Sequence, residues 1–190
     1  AGLILFAAGL LLGAVIVYAV TPSSTFYISS GVYPGAPSFT VWREGSNYFA
    51  KDANGELKYS GTDFSTVIQA ALDALTSGRT WKEKVTVKGN CILSAPIVIP
   101  SQTIFELQAT LKVADDTQIN CLEVRDANNV AILGGNLDGN SAGNVFGGDT
   151  HKQNGIFVTN SHNLLVHGVH IYSLYVDGVM LHVDAYNCKI

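Results

Sequence analysis

Apolar and polar positions follow three different rules along this chain. From Ala1 to Val20 there is no alternation at all: no charged side chain interrupts the run, Tyr18 is its most polar member, and the first charge anywhere is Arg43. From Phe39 to Ser60 apolar residues come in short alternating bursts, FTVWR, NYFAK and ELKYS, which is the period-two sign of strands. Glu44-Gly45-Ser46 and Ala53-Asn54-Gly55 supply the turns between them, the second being a strong hairpin signal. The period then changes. Phe64, Val67, Ile68, Ala71, Leu72 and Leu75 fall at i, i+3, i+4 and i+7, predicting a helix with one apolar face, an N-cap at Thr62 and a C-cap at Gly78. With no partner helix, that face is expected to lie against a sheet or the open end of a stack.

As a helix, the first run would be about 30 Å long, enough to cross a bilayer core. Gly9 and Gly13 stand four residues apart and Gly2 shares their face, a small-residue pattern that lets helix backbones approach closely. A single-pass anchor with incidental glycines is the alternative, since glycine is common in membrane helices. Residues 21–38 (TPSSTFYISSGVYPGAPS) read as an extended, uncharged linker in which Pro and Gly stop the helix.

From Val85 onward short β runs are punctuated by Asn and Gly, and an internal repeat emerges. EVRDANNVAI (123–132), FVTNSHNLLV (157–166) and LHVDAYNCKI (181–190) superpose so that Asn129, Asn163 and Asn187 align, at spacings of 34 and 24 residues. The ten extra residues of the first interval fall in the Gly-rich segment 141–153, SAGNVFGGDTHKQ. A second column holds Asn120, Asn154 and Asp177, each just before a short apolar strand. A unit this short cannot bury a core alone, so the units are expected to stack, with like residues above one another and amides bonding along the stack. About four coils fit from Val85 to the last residue. An antiparallel sandwich is the alternative, but it does not account for columns in equal register.

The segments SGTDFSTVIQAALDALTSG, APIVIPSQTIFELQATL, NVAILGGNLDGN and NGIFVTNSHNLLVHGVHI resemble the pectin-lyase-like proteins, above all their archaeal and viral versions. The resemblance spans residues 39–190. It implies a mainly β protein: a right-handed parallel β-helix with an N-terminal capping α-helix and a small β-meander, preceded here by the long apolar helix. The fold hosts lyases, hydrolases, tailspikes, adhesins and inert shafts, so it does not choose a function. Residues 1–20 resemble the core helix of mature archaeal type IV pilins and archaellins, which retain an apolar segment after their leader is removed. Leu5 stands where bacterial pilins usually carry a glutamate.

Chemistry is sparse. The net charge is −4, and no Lys/Arg cluster offers the phosphate contacts of a nucleic-acid partner. Cys91, Cys121 and Cys188 are far apart, odd in number and without metal spacing, and are expected to be buried apolar side chains. The resemblance to polygalacturonases places Asp177 in the column of a catalytic aspartate. The partners that such chemistry needs across the sugar would fall near or beyond Ile190, and a turn-stabilising role is the alternative. Asp138 fits a turn equally well. A lyase would need clustered carboxylates for calcium and an arginine base. Arg125 is the only arginine in the coils and no acidic cluster is expected around it, while Asp115-Asp116 reads as a solvated turn. His151, His162, His167, His170 and His182 show no convergent set, so no metal and no cofactor are expected. Tyr172, Tyr175 and Tyr186 suit either sugar stacking or packing.

The expected function is that of a structural subunit of a pilus-like cell-surface filament. It would be inserted in the membrane before assembly and partnered by copies of itself through the N-terminal helix, with surface glycans as a further partner. A membrane-anchored polysaccharide hydrolase or lyase, or a glycan-binding adhesin, is the alternative. The chain reaches Ile190 as a coil begins, so a neighbouring subunit or further chain is expected over that end.

Overall fold

In a computed structural model, residues 35–190 are described. The apolar helix expected over 1–20, its glycines Gly2, Gly9 and Gly13, and most of the linker lie outside those residues. Among the described residues no helix is long and apolar enough to cross a membrane.

The described part is mainly β. Strands β1 (Phe39–Glu44), β2 (Asn47–Asp52) and β3 (Leu57–Gly61) form the expected antiparallel meander. Its second turn is organised by Asp52, whose Oδ1 accepts from the backbone N–H of Asn54 and of Glu56. After helix α1 (Phe64–Asp73), twelve of the next thirteen strands build three parallel sheets in rotation and the thirteenth begins a new round. The first sheet takes β4 (Glu83–Lys88), β7 (Thr103–Gln108), β10 (Ala131–Leu133), β13 (His162–His167) and β16 (Tyr186–Lys189), and joins the meander through parallel pairing of β1 with β4. The second takes β5 (Cys91–Leu93), β8 (Thr110–Val113), β11 (Asn136–Asp138) and β14 (His170–Tyr172). The third takes β6 (Ile97–Val98), β9 (Leu122–Arg125), β12 (Ile156–Thr159) and β15 (Val179–Leu181). The chain therefore passes through the three sheets in turn four times, an arrangement compatible with a β-helix.

The core is made of stacked columns, as expected where parallel strands superpose equivalent positions. Val85, Phe105, Ile132 and Val166 form one column in the first sheet, and Ile97, Leu122 and Ile156 form one in the third, all buried. The turn from first to second sheet is tight. At Gly135 (φ +73°) a Cβ would sit 2.8 Å from the Ala109 carbonyl oxygen, so both the backbone angle and the close approach require glycine.

Helix α1 closes the first coil. Its buried face carries Phe64, Val67, Ile68, Ala71 and Leu72, and Phe64 packs against Tyr48 with ring centres 5.4 Å apart. Two polar side chains on the helix take the place of a preceding strand. Gln69 donates to the Val98 carbonyl at 3.1 Å and accepts from the Val98 N–H at 3.0 Å. Buried Ser65 accepts from the N–H groups of Ser94 and Ala95 and donates to the Ala95 carbonyl. The edge of the stack is thus hydrogen-bonded rather than left bare.

Both expected helix caps need correction. Asp63, not Thr62, is the N-cap, its carboxylate accepting from the N–H groups of Ser65 and Thr66. Partial burial would raise the Asp63 pKa, but the hydrogen bonds from Ser94, Thr66 and Ser65 outweigh it and hold the carboxyl below its usual range. Gly78 is not the C-cap, because the helix ends at Asp73 with Ala74 capping it. The reason is tertiary: Thr76 donates its N–H and hydroxyl to the Glu83 carboxylate at 2.8 and 2.9 Å, drawing the chain out of the helix before the glycine.

Candidate functional site

The polar residues singled out by the repeat all lie at the corners of the stack. Asn129 lies in the turn from third to first sheet, and Asn163 and Asn187 are the second residues of β13 and β16, each of the three with φ between +53° and +59°. Asparagine accepts this left-handed backbone at low cost and keeps its amide for bonding. Asn163 donates to the side chain of Asn129 at 3.1 Å, and Asn187 donates to that of Asn163. A parallel ladder runs beside it, with Asn160 donating to Asp126 at 3.2 Å.

The second column is deeper. Asn120 and Asn154 are buried, and Asn154 donates both its backbone N–H and its side-chain amide to the Asn120 Oδ1. Asp177 occupies the third place, but it takes part through its backbone: its N–H donates to the Asn154 Oδ1 at 3.1 Å, while its carboxylate is on an exposed residue. Asp138 accepts from the Asn140 N–H, and Asp115 accepts from the Asn140 side chain, so both aspartates serve turns.

The segment 141–153 lies between β11 and β12 as an ordered excursion. Asn140 and Asn144 tie it to the carbonyls of Val113 and Ala114, and Gln153 braces it against Val145 and Gly147. The Tyr175 hydroxyl lies 3.0 Å from the carbonyl oxygens of Ser141 and Asn144, and its ring meets Phe146. Tyr172 stacks on His170 and Tyr186 on His162. His167 and His170, of opposite parity in one strand, are both exposed because a turn at Gly168 separates β13 from β14.

One constellation escapes the sequence pattern, and it lies on the outer face of the third sheet. Register places Glu123, Phe157 and Met180 in one outward column, with Arg125 and Thr159 in the next. Arg125 has an acidic partner after all: its Nε donates to Glu123 Oε2 at 2.6 Å, while Asn120 donates to Oε1 at 2.7 Å. Burial acts to raise the Glu123 pKa, but these bonds outweigh it and hold the carboxyl below the usual range. The guanidinium lies 4.6 Å over the Phe157 ring, and its two Nη groups have no hydrogen-bond partner among the described residues. His182 stacks on Phe157 with ring centres 5.7 Å apart, and His151 reaches in from the excursion to 4.5 Å from His182. The result is a strip of a cation, an aromatic ring and two imidazoles. Part of it has a signal in the sequence: Glu123 and Arg125 share parity, and the spacings 34 and 23 carry Glu123 to Phe157 and Met180. His151, in the irregular excursion, belongs to no column.

No family model, curated protein or solved structure matches this chain.

A cleft of ≈ 450 Å³ adjoins the strip, lined by Arg79, Pro100, Gln102, Arg125 and Asp126 among others. Arg79 is fully committed inside it, donating to the carbonyls of Thr76, Ser101 and Gln102 and to the Thr103 hydroxyl. The thiols of Cys91 and Cys121 are buried, and burial pushes both up to about 12, so they remain protonated packing groups. Cys188 is partly exposed, and all three are free. Among the described residues no three metal-ligating side chains converge.

Proposed function

We propose that this chain is a structural subunit of a cell-surface filament. In this reading the segment from Ala1 to Val20 packs as an apolar helix against copies of itself, after residence in the membrane. Residues 39–190 form a right-handed parallel β-helix of the pectin-lyase-like kind that makes the outer surface. The observation that carries the reading is the uninterrupted apolar run with Gly2, Gly9 and Gly13 on one face, beside a soluble domain that begins its charges only at Arg43. The use of the conspicuous polar columns for stacking supports it: Asn129, Asn163 and Asn187 bond to one another, and Asn154 bonds to Asn120 and to the Asp177 backbone. Electron microscopy of filaments sheared from the surface of cells expressing the full chain is the test. Filaments are expected from the native sequence and not from Gly9→Leu or Gly13→Leu, with the β signal in circular dichroism unchanged. Monomers that stay in detergent micelles and never form filaments would end the proposal.

A second reading, a surface adhesin for acidic glycans, is favoured by one observation. Arg125 presents unpartnered Nη groups on an outward sheet face, its guanidinium lying over the buried Phe157 ring, a fork suited to the carboxylate of a uronic-acid sugar. Oligogalacturonates immobilised on an array are expected to retain the full chain, and Arg125→Ala to lower retention about tenfold, near the 1.4 kcal/mol of one lost contact. Undiminished retention of the Arg125→Ala variant removes this reading and leaves the filament proposal untouched.

A further inference from the structure

The same dipeptide occurs twice in the chain, as Asn54-Gly55 and Asn154-Gly155, and the fold treats the two copies in opposite ways. In an Asn-Gly pair the glycine nitrogen can approach the asparagine side-chain carbonyl carbon, because no Cβ stands in the way. Whether it does so depends on what holds the amide. Asn154 is buried, and its amide is bonded on both sides: Oδ1 accepts from the Asp177 N–H at 3.1 Å, while Nδ2 donates to Asn120 Oδ1 and to the Thr150 and Lys152 carbonyls. Gly155 is packed closely, with the Gly178 carbonyl oxygen 2.6 Å from where its Cβ would be. Turning the Asn154 amide onto the Gly155 nitrogen would break every one of those bonds. Asn54 and Gly55 sit instead at the exposed tip of the turn between β2 and β3. The Asn54 backbone N–H donates to Asp52 Oδ1, but its side-chain amide has no hydrogen-bond partner among the described residues. No heavy atom lies within 4 Å of the Cβ position at Gly55. The one restraint on the nitrogen is its N–H bond to the Asp52 carbonyl at 3.0 Å, in a water-exposed turn of the kind that opens at low free energy.

We propose that Asn54 is a site of spontaneous deamidation, and that the stack keeps Asn154 as the amide. The Gly55 nitrogen gives its proton to base in the solvent and bonds to Asn54 Cγ. The bond from Cγ to Nδ2 breaks, and Nδ2 takes up a proton and leaves as ammonia. Water then opens the cyclic imide at either carbonyl, which yields aspartate or the β-linked isoaspartate. One water is consumed and one ammonia released, and no oxidant or enzyme is needed. Either product sets a new carboxylate in the turn that Asp52 organises, where Lys58 already serves both Asp52 at 3.3 Å and Glu56 at 2.6 Å. The isoaspartate also lengthens the main chain by one methylene between the Asn54 and Gly55 positions, at the entry to the edge strand β3.

The test incubates the full chain in detergent at mildly alkaline pH and maps its peptides by mass spectrometry at intervals, with isoaspartate read by enzymatic methylation. The Asn54 peptide is expected to take on the mass of the acid at least roughly tenfold faster than the Asn154 peptide, whose conversion must wait for the coil to open. Its rate should climb with pH, since the attacking nitrogen must lose a proton. In denaturant the two pairs should convert at comparable rates, which assigns the difference to the fold and not to the dipeptide. Asn54→Gln should remove the isoaspartate signal from the folded chain and leave the melting transition in place. Equal rates at Asn54 and Asn154 in the folded chain would overturn the proposal, as would an Asn54 that keeps its amide under conditions where the denatured chain converts.

Discussion

Asn154→Leu is expected to lower the stability of the β domain by about 3 kcal/mol, or roughly 9 °C in melting temperature. The side chain is fully buried, and its amide acts in two directions at once. Its Oδ1 accepts from the Asp177 N–H in the coil above, while its Nδ2 donates to Asn120 Oδ1 in the coil below and to the carbonyls of Thr150 and Lys152. Leucine is of similar size and apolar, so the loss reports chiefly the polar bonds: the Asp177 N–H is left without its acceptor, and the root of the 141–153 excursion loses its donor. Because each coil contacts only its neighbours, hydrogen exchange should rise first in β12 and β15 and leave β4 and β7 protected. Asn154→Asp adds a sign that packing alone does not produce. Its carboxylate would face the Asn120, Thr150 and Lys152 oxygens, so its folded-state pKa would be raised and the folded state would bind the proton more tightly. Stability should therefore recover as pH falls through that raised value and be lowest at neutral pH. Thermal melts at pH 7 and pH 4 check this, and equal losses at both would show that the column is filler.

Arg79→Ala is expected to cost about 3–4 kcal/mol. The guanidinium is nearly buried, at 7% side-chain exposure, and bonds four oxygens: that of Thr76 just after the helix, and those of Ser101, Gln102 and Thr103 at the entry to β7. Removing it takes one of two donors from the Ser101 and Gln102 carbonyls, which keep the Thr103 hydroxyl and the Glu83 N–H, and leaves the Glu83 carboxylate, 3.7 Å away, without its cation. Arg79→Lys should rescue little, because one ammonium cannot reach four acceptors spread along a planar fork. Lys58→Ala, which removes an exposed pair with Asp52 and Glu56, is the control and should leave the melting transition in place. A melt in which Arg79→Lys matches the native chain would show that charge, not the fork geometry, holds the turn.

These two residues mark how far sequence alone carries. Asn154 is visible as a member of a column with Asn120 and Asp177, because parallel stacking turns a sequence spacing into a spatial neighbour. The direction of its bonds is not visible, so Asp177 draws notice for its carboxylate when the stack engages its backbone N–H. Arg79 shows no pattern at all. It follows the helix and precedes the first coil, and its acceptors Ser101 and Gln102 lie more than twenty residues away. The helix itself is legible from its apolar periodicity, but its ends are not. Thr62 and Asp63 are both good capping types, and the role falls to Asp63, which also accepts from the Ser94 hydroxyl. Gly78 loses the capping role to the grip of Glu83 on Thr76.

Local sequence is enough to set the succession of elements: a meander, one helix, and short strands whose aligned asparagines and apolar positions announce parallel stacking. Hydrophobic period and turn chemistry are properties of a few neighbouring residues, and parallel superposition carries them unchanged from coil to coil. The packed molecule alone selects which polar groups become ladders, which close the helix, and which gather as Arg125, Phe157, His151 and His182 on one outward face. Those contacts join residues from different coils and an irregular excursion. Their geometry depends on the path of the whole chain, not on any segment within it.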